Sequence, residues 1–426
     1  MQRAPAICHL ATVPTIGYLG YTAVGPYPVL VAGIQLDILL GAITCISLSI
    51  CISLEPHKRV SPNEIAYIAA ILLYLITSTL ATVLSNDLVS SKNALIASTS
   101  YALSSILIPI AYKHNFDILR KLSVLAATIV GAFFIYRYLN TGWNSIESGR
   151  FVVAAEAISS SQAGREGIAK SDPNTTAIGL MLFFAISLID LQKHNRDGDL
   201  PKLALAILCS STIFSASLLF SSRTPIVAII LSLLTCLIVQ TLQRPPTKLP
   251  RLRSLLVAII PFSIAAFILL TAPNLLLSLV FRISNAGTST DSHRIDLISS
   301  SLAGWLEDTT SFLLGRGYFV ENPHNEILRA LYGSGIIGAS SLFLVLFIVY
   351  LSFVHRAPRQ SKPPLLIIFF FLIISSQTYF LVKPLWIGLA FIIGSSVGNE
   401  TQPNTKDLSD TKRRPLQYRE YRQQET

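Results

Sequence analysis

Charged residues and cysteines are both scarce in this 426-residue sequence, and several common catalytic motifs are missing. Only 13% of the residues are charged whereas 51% are hydrophobic, which is too apolar for a soluble globular protein of this length. Five cysteines without a Cys-x-x-Cys pair argue against a disulfide framework. No His-x-x-x-His, P-loop or Gly-x-Ser-x-Gly pattern occurs, so metal, nucleotide and serine-hydrolase chemistry lack support and we expect no cofactor.

Long apolar segments recur from one end of the chain to the other, and they predict an all-α polytopic membrane protein. Each segment is long enough to cross about 30 Å of hydrocarbon as an α-helix. We predict about 12 transmembrane helices. Their approximate spans are 8 to 25, 29 to 54, 62 to 84, 93 to 112, 119 to 139, 174 to 191, 203 to 220, 224 to 242, 254 to 272, 325 to 354, 364 to 381 and 384 to 398.

The distribution of lysine and arginine predicts the orientation of these helices. When alternate connections are assigned to the cytoplasm, 22 of the 33 lysines and arginines lie on that side. The positive-inside rule then places both termini in the cytoplasm. The net charge of +10 follows mainly from this topology. It favours weak contact with anionic membrane lipids and does not indicate nucleic-acid binding.

Two connections on the non-cytoplasmic side are long enough to carry a site. They cover residues 140 to 173 and 273 to 324, the second lying between the ninth and tenth predicted helices. Within the second, an apolar pattern from Ile295 to Leu314 predicts one or two short helices on the membrane surface. We assign residues 1 to 398 to the transmembrane domain. Residues 399 to 426 are polar and basic without a hydrophobic period, which predicts a disordered cytoplasmic tail.

The predicted topology separates the seven histidines. Only His293 and His324 fall on the side that carries the long loops. His324 ends the second loop, directly before a long apolar segment, so its imidazole is predicted at the membrane surface. There it either anchors the end of a helix or takes part in chemistry.

The residues around His324 favour a role in chemistry. Asn322 is predicted as an N-cap with Pro323 as the first helical residue, which places His324 in the first helical turn. The positive end of the helix dipole disfavours imidazolium there, and a general base must be neutral to accept a proton. Gly335 and Gly338 lie close to the direction of His324 on this helix, where they allow a neighbouring helix to approach.

Arg223 lies in a short connection on the same side of the membrane. Thr224 is predicted as a cap and Pro225 as the first residue of the next helix. Free backbone N–H groups and the guanidinium would then form an anion site. The alternative is an arginine that snorkels to the interface.

Other polar loop residues are candidates for the same site. Arg294 and Arg282 lie in the loop before His324, where they either bind the anion or pair with acidic residues of the loop. Asp172-Pro173-Asn174 ends the other long loop, and it indicates at least an Asx turn and a helix start.

Several of these residues together resemble the motifs of bacterial O-antigen ligases. That signature is His, then Asn, Ser or Gln, then nine residues and Gly-x-x-Gly, matched here by His324, Asn325, Gly335 and Gly338. Ser222-Arg223 resembles the Ser-Arg motif of the superfamily. Arg294, an amphipathic stretch and Leu314-Gly315-Arg316-Gly317 resemble its large loop. The motifs cover about residues 172 to 340, and the helix count resembles the family over the whole chain.

The resemblance implies a glycosyltransferase of the bacterial inner membrane. It implies metal-independent, inverting transfer of a polysaccharide from undecaprenyl pyrophosphate to lipid A-core at the periplasmic face. His324 would take the proton of the acceptor hydroxyl, while Arg223 and Arg294 would hold the pyrophosphate. The residues implied in substrate binding are Arg282, Asn325, Ser222, Asp172 and Asn174.

Two alternatives remain open. Asp172-Pro173-Asn174 is more similar to the related O-antigen and exopolysaccharide polymerases, which extend a glycan on the same lipid-linked donor. A transporter or flippase would instead use Arg223 and His324 to line a substrate path.

Overall fold

The computed structural model describes residues 6–24, 30–31, 34–54, 60–84, 88–141, 173–220, 222–242, 263, 289–317, 325–358, 361–376 and 382–397. The helices are α1 (Ala6–Val24), α2 (Leu36–Leu54), α3 (Pro62–Val83), α4 (Leu88–Ala111), α5 (Phe116–Thr141), α6 (Pro173–Asp197), α7 (Leu200–Leu219), α8 (Arg223–Leu242), α9 (Ser289–Trp305), α10 (Thr309–Leu314), α11 (Glu326–Val349, continued by the π-helix Tyr350–His355), α12 (Lys362–Ser376) and α13 (Val382–Val397). Strands β1 (Leu30–Val31) and β2 (Ile34–Gln35) form an antiparallel ladder.

The coarse prediction of a helical protein with apolar helices of membrane-spanning length is confirmed. Within the part of the chain that the structure describes, five helical segments are long and apolar enough to cross a bilayer: Pro62–Val83, Phe116–Tyr136, Thr175–Asp197, Leu200–Leu219 and Glu326–His355. Helices also overlap the other predicted spans except 254 to 272, of which only residue 263 is described. The count of twelve spans stays a prediction. The long loop 140 to 173 and the tail 399 to 426 lie almost wholly outside the described residues.

One local prediction was inexact, and another agrees with the structure. The predicted span 29 to 54 begins with the short ladder, so its helix starts only at Leu36. The stretch from Ile295 to Leu314 does contain two short helical elements, the later part of α9 and all of α10. Their position on a membrane surface remains a prediction.

Helix α6 forms the centre of the bundle. In its most apolar stretch 89% of the residues are buried, whereas 39% are buried in the corresponding stretches of α5 and α11. A helix that is apolar all round is expected in such a central position. It packs chiefly against α7 and α12, while α3 packs against α11, α8 against α12 and α13 against α4.

One end of the bundle is held by ion pairs. Arg120 at the start of α5 is 2% exposed, and its guanidinium donates to both carboxylate oxygens of Asp190 near the end of α6, at 2.7 and 3.3 Å. It also donates to Asp117 at 2.8 Å. Lys193 donates to the other oxygen of Asp117 at 2.7 Å. The buried charges of Arg120 and Asp190 therefore neutralise each other in a low-dielectric setting, while Asp117 and Lys193 complete the network at the surface.

The start of α3 belongs to the same end and follows directly from its sequence. Ser61 caps the helix, Pro62 is its first residue, and Glu64 completes a capping box by accepting from the Ser61 N–H at 2.6 Å. Glu64 also accepts from the Lys113 ammonium at 3.1 Å. This pair ties the beginning of α3 to the end of α4.

The first and last described helices are joined by a lysine among tyrosine rings. The Lys383 ammonium of α13 lies 4.5 Å from the ring centroid of Tyr18 and 5.0 Å from that of Tyr21, both on α1. It lies 5.8 Å from the ring of Tyr101 on α4. Aromatic faces stabilise a cation electrostatically, so Lys383 links three helices.

Candidate functional site

The predicted site residues differ in how much of each the structure describes. His324, Arg282 and Asp172 lie outside the described residues. Arg223, Arg294 and Asn174 are described only as backbone, in α8, α9 and α6. Asn325 and Ser222 are described with their side chains. The separation of the Arg223 and His324 side chains therefore stays a prediction.

The start of α11 differs from the predicted one. Asn325 is the N-cap, since its side-chain oxygen accepts from the N–H groups of Ile327 at 3.0 Å and Leu328 at 3.1 Å. The prediction of Asn322 as cap, with His324 in the first turn, is wrong. His324 directly precedes this cap in sequence and lies outside the described residues, so the effect of the helix dipole on its imidazole stays a prediction.

Helix α8 also begins earlier than predicted. Its first residue is Arg223, so Thr224 is helical and not a cap, and Pro225 is not the first helical residue. Ser222 directly precedes the helix and is 2% exposed. Its hydroxyl makes no hydrogen bond to the part of the protein that is described, and it lies beside the N–H groups that open α8.

The register between helices α6 and α7 brings two of the predicted segments to one end of the bundle. Helices α6 and α7 are antiparallel, and the hydroxyls of Ser187 and Ser210 are 2.7 Å apart. From that level, α6 runs back to Pro173 over about 20 Å and α7 runs forward to Ser222 over a similar length, at about 1.5 Å per residue. Pro173 and Asn174 therefore flank the same end as Ser222 and Arg223, opposite the ion-paired one, while Asp172 lies outside the described residues.

Helix α11 is interrupted at Gly335. This residue has φ 64° and ψ −171° inside the helix, in a region of backbone space that only glycine adopts readily. The interruption separates a short arm, Glu326–Ser334, from the apolar continuation towards His355. That continuation is about 30 Å long at 1.5 Å per residue, sufficient by itself to cross the hydrocarbon.

The interruption is filled by the segment that follows α10. The N–H of Arg316 donates to the carbonyl of Tyr332 at 2.8 Å, and the N–H of Gly317 donates to that of Gly333 at 3.1 Å. Carbonyls near a break in a helix need new donors. The segment Leu313–Gly317 supplies them, and we call this contact the glycine junction.

Two glycines make the junction possible. A Cβ on Gly335 would lie 2.2 Å from the Leu313 carbonyl oxygen, and one on Gly315 would lie 2.5 Å from Gly333 backbone carbon. Gly315 also has φ 78° and ψ −179°. The sequence predicted that Gly335 admits a neighbouring helix. The neighbour is instead the segment that follows α10, and α11 is interrupted where this segment packs against it.

The other predicted glycine, Gly338, lies against α3. A Cβ there would be 3.4 Å from the Thr77 hydroxyl, and the hydroxyls of Ser78 and Ser334 are 3.0 Å apart. Ser334 at the end of the arm and Gly338 in the continuation therefore both contact α3, as expected for small residues at a helix contact.

Helix α10 is organised by Asp308. Its carboxylate accepts from the Ser311 N–H at 2.8 Å and from the Ser311 hydroxyl at 2.7 Å, and these bonds lower the pKa of Asp308. Ser311 in turn accepts from Nε of Arg316 at 3.3 Å. Trp305 stacks on Phe312, with ring centroids 5.1 Å apart. These contacts hold the end of α9, α10 and Arg316 as one unit.

Four charged residues at this end were not among the predicted site residues. Arg316 also donates to Glu307 in the connection between α9 and α10. In the short arm, Arg329 donates to Glu326, and both residues are at most 2% exposed. The spacing of three residues between Glu326 and Arg329 is a signal for a helical ion pair. For Arg316 and Glu307, the sequence showed only that both residues belong to the same predicted loop.

The described residues bring some predicted elements together. Helix α9, which carries Arg294, packs against α11, the helix that follows His324, and α10 contacts both α11 and α3. Helix α8, which carries Arg223, packs chiefly against α12 and α6. Within the described residues, no group of three His, Cys, Asp or Glu side chains is placed to hold a metal ion.

Among the described residues, Arg316 has one terminal nitrogen without a hydrogen bond, and the buried Ser222 hydroxyl directly precedes the first N–H groups of α8. Such groups bind anions. No protein-family model matches the sequence, and no curated protein matches it at a significant level.

Proposed function

We propose that this protein is a glycosyltransferase of the O-antigen ligase type. It transfers a polysaccharide from undecaprenyl pyrophosphate to lipid A-core at the periplasmic face of the bacterial inner membrane. The observation that carries the proposal is the glycine junction. It joins Leu314-Gly315-Arg316-Gly317 to the Gly335-x-x-Gly338 stretch that follows His324 and Asn325, and each of these two stretches separately resembles a motif of that superfamily.

The distribution of basic residues supports the proposed orientation with twelve spans and both termini in the cytoplasm. Lys113, Arg120, Lys193 and Lys202 come from alternate connections that the positive-inside rule assigns to the cytoplasm. All four lie at the ion-paired end of the bundle, at the boundaries of α4, α5, α6 and α7. The glycine junction and the Ser222-Arg223 segment belong to the other end, which is then periplasmic.

The proposed reaction is a single displacement at the anomeric carbon. The acceptor hydroxyl oxygen forms the new bond to that carbon and its proton passes to His324, which acts as general base. The bond from the carbon to the phosphate oxygen breaks, and undecaprenyl pyrophosphate leaves with the bonding electrons. Arg223 and Arg294 stabilise the charge that develops on the leaving group, so no metal is required. Because the reaction is a single displacement, the anomeric configuration inverts.

The test uses purified protein in lipid nanodiscs, with an undecaprenyl-pyrophosphate-linked glycan as donor and lipid A-core as acceptor. We expect transfer by the wild type and a loss of about 10²- to 10⁴-fold in His324→Ala, the usual contribution of a general base. His293→Ala is the matched control, because His293 shares the predicted loop. Normal transfer by His324→Ala would remove the base assignment, and no transfer by the wild type would count against the ligase reaction.

A polymerase is the second candidate, and Asp172-Pro173-Asn174 favours it. The structure begins α6 at Pro173, as the helix-start interpretation of this motif expects. Lipopolysaccharide from a deletion strain separates the two reactions. Loss of a ligase leaves bare lipid A-core with polymer retained on the lipid carrier, whereas loss of a polymerase leaves core bearing a single repeat unit.

A further inference from the structure

Arg316 is held in place by its main chain. Its N–H donates to the Tyr332 carbonyl within the glycine junction, so its Cα is fixed relative to the helix that follows His324. The bond uses no side-chain atom. A substitution at position 316 can therefore change the side chain and leave the junction intact.

The Arg316 side chain is also oriented by its neighbours. Its Nε donates to Ser311, which is itself bonded to Asp308. One terminal nitrogen donates to Glu307. The other, Nη1, makes no hydrogen bond to any described residue and would lie 3.7 Å from a Cβ placed on Gly304. The hydrogen bond at Nε fixes the plane of the guanidinium, and the edge formed by its two terminal nitrogens carries the paired N–H groups that bind a phosphate in a bidentate way.

Glu307 is a partner that an anion can replace. Its side chain is 62% exposed, and that of Arg316 is 31% exposed. Ion pairs in solvent contribute only about 0–1 kcal/mol. A phosphate that displaces the carboxylate from one terminal nitrogen would gain the other as well. The pair differs in this respect from Arg120 and Asp190, which are buried together.

We propose that Arg316 is a phosphate-binding residue of the site, additional to Arg223 and Arg294, and that Glu307 occupies its terminal nitrogen in the unliganded protein. The ligand is a phosphate or pyrophosphate group of a lipid-linked substrate. This inference rests on the proposed transfer reaction, and it deepens that proposal by naming a group that binds substrate. Because Glu307 competes with the ligand, the two residues act in opposite directions.

A purely structural ion pair makes a different prediction. If Arg316 and Glu307 serve only to hold α9 to α10, removing either one breaks the same contact and has the same effect. If Arg316 binds phosphate, Arg316→Gln weakens binding, while Glu307→Gln releases the guanidinium and strengthens it. The comparison of these two variants decides between the explanations.

The experiment measures binding of undecaprenyl pyrophosphate and transfer kinetics in nanodiscs for four variants. For Arg316→Gln we expect binding about 10- to 100-fold weaker, the size of a charge-assisted hydrogen bond, with a raised KM and little change in kcat. Arg316→Lys should be intermediate because it keeps the charge but loses the fork. Glu307→Gln should bind up to about 5-fold more tightly. Glu307→Arg combined with Arg316→Glu restores a pair but should bind as weakly as Arg316→Gln.

Two titrations identify which substrate carries the phosphate that Arg316 binds. Titrating the lipid-linked donor and titrating phosphorylated lipid A-core, each with the other saturating, shows whose KM depends on position 316. A change in either supports the proposal and identifies the source. Equal effects of Arg316→Gln and Glu307→Gln, or wild-type binding and KM in Arg316→Gln, would overturn it.

Failure of this inference is distinguishable from failure of the proposed function. If the wild type binds undecaprenyl pyrophosphate but transfers no glycan, the ligase proposal fails while the binding comparison still tests Arg316. If the wild type transfers glycan and position 316 has no effect, only the inference about Arg316 fails. Thermal unfolding of each variant verifies that the bundle remains folded.

Discussion

The two ends of α3 lie in different chemical surroundings. At its start, Glu64 completes a capping box and pairs with Lys113, beside the network of Arg120, Asp117 and Asp190. About 20 Å further along at 1.5 Å per residue, Ser78 meets Ser334 beside the glycine junction. There main-chain hydrogen bonds and glycine contacts join α10 to α11. The buried pair of Glu326 and Arg329 lies within the short arm itself, and the nearby Arg316 has an exposed acidic partner.

The difference separates charges that hold the fold from charges that remain available to a ligand. Buried ions that satisfy one another are costly to disturb, and they offer no donor to anything else. At the other end, position is fixed by backbone hydrogen bonds and glycine contacts, so that a side chain such as Arg316 can keep a donor. A site that binds and releases an anion requires this second arrangement.

The largest effect on stability is expected at the ion-paired end. Arg120→Ala leaves Asp190 charged and buried without its partner, which should cost about 3–5 kcal/mol of unfolding free energy. Thermal unfolding in detergent measures the loss, and transfer per folded molecule should not change. Arg120→Met combined with Asp190→Leu should recover most of the stability. Lost transfer in that folded double variant would contradict a purely structural role for this end.

The glycine junction should be the most sensitive point of the opposite end. Gly335→Ala places a Cβ against the Leu313 carbonyl in a strained conformation, and we expect a loss of about 2–4 kcal/mol together with most of the transfer activity. Gly198→Ala is the control: φ is 74° there, but a Cβ would meet nothing within 4 Å, so about 1 kcal/mol of backbone strain is expected. Equal losses in both variants would mean that the contact itself contributes nothing.

A smaller effect is expected from the cap of α11. Asn325→Ala leaves the Ile327 and Leu328 N–H groups without their acceptor and should cost about 1 kcal/mol. Asn325→Asp should retain the cap. Because the cap directly follows His324, kcat should fall more in the alanine variant than its stability loss would explain. Equal kcat values for Asn325→Ala and Asn325→Asp would mean that the cap does not contribute to the reaction.

The smallest effect should appear only in acid. Hydrogen bonds from Ser311 lower the pKa of Asp308, so ionised Asp308 stabilises α10 above the unfolded-state pKa of about 3.9 and loses this contribution as the pH falls through the lower folded-state value. Hydrogen-exchange protection of the Ser311 amide, corrected for the intrinsic rate, should be constant from about pH 7 to 5 and fall below about pH 4. Asp308→Asn should remove this decline.

The positions of the helices could be predicted from the hydrophobic runs, because a segment that is apolar over its whole length has few other stable structures in a membrane. The hydrophobic runs located the first residue of each helix less accurately. Asn322-Pro323 carried the stronger local signal for a cap, yet Asn325 is the cap because its own oxygen reaches two free N–H groups. The motif glycines were recognised. The conformation of Gly335 was not, since it depends on a partner segment about 20 positions away in sequence.

The lysine among tyrosines has a consequence for biogenesis. Tyr18 and Tyr21 are made at the start of synthesis, whereas Lys383 emerges only after more than three hundred further residues. At about 5–20 residues per second, α1 is complete tens of seconds before its final neighbour emerges. Closure of the bundle is therefore one of the last events of folding, and truncated chains that end before α13 lack the cation that the aromatic faces of α1 contact.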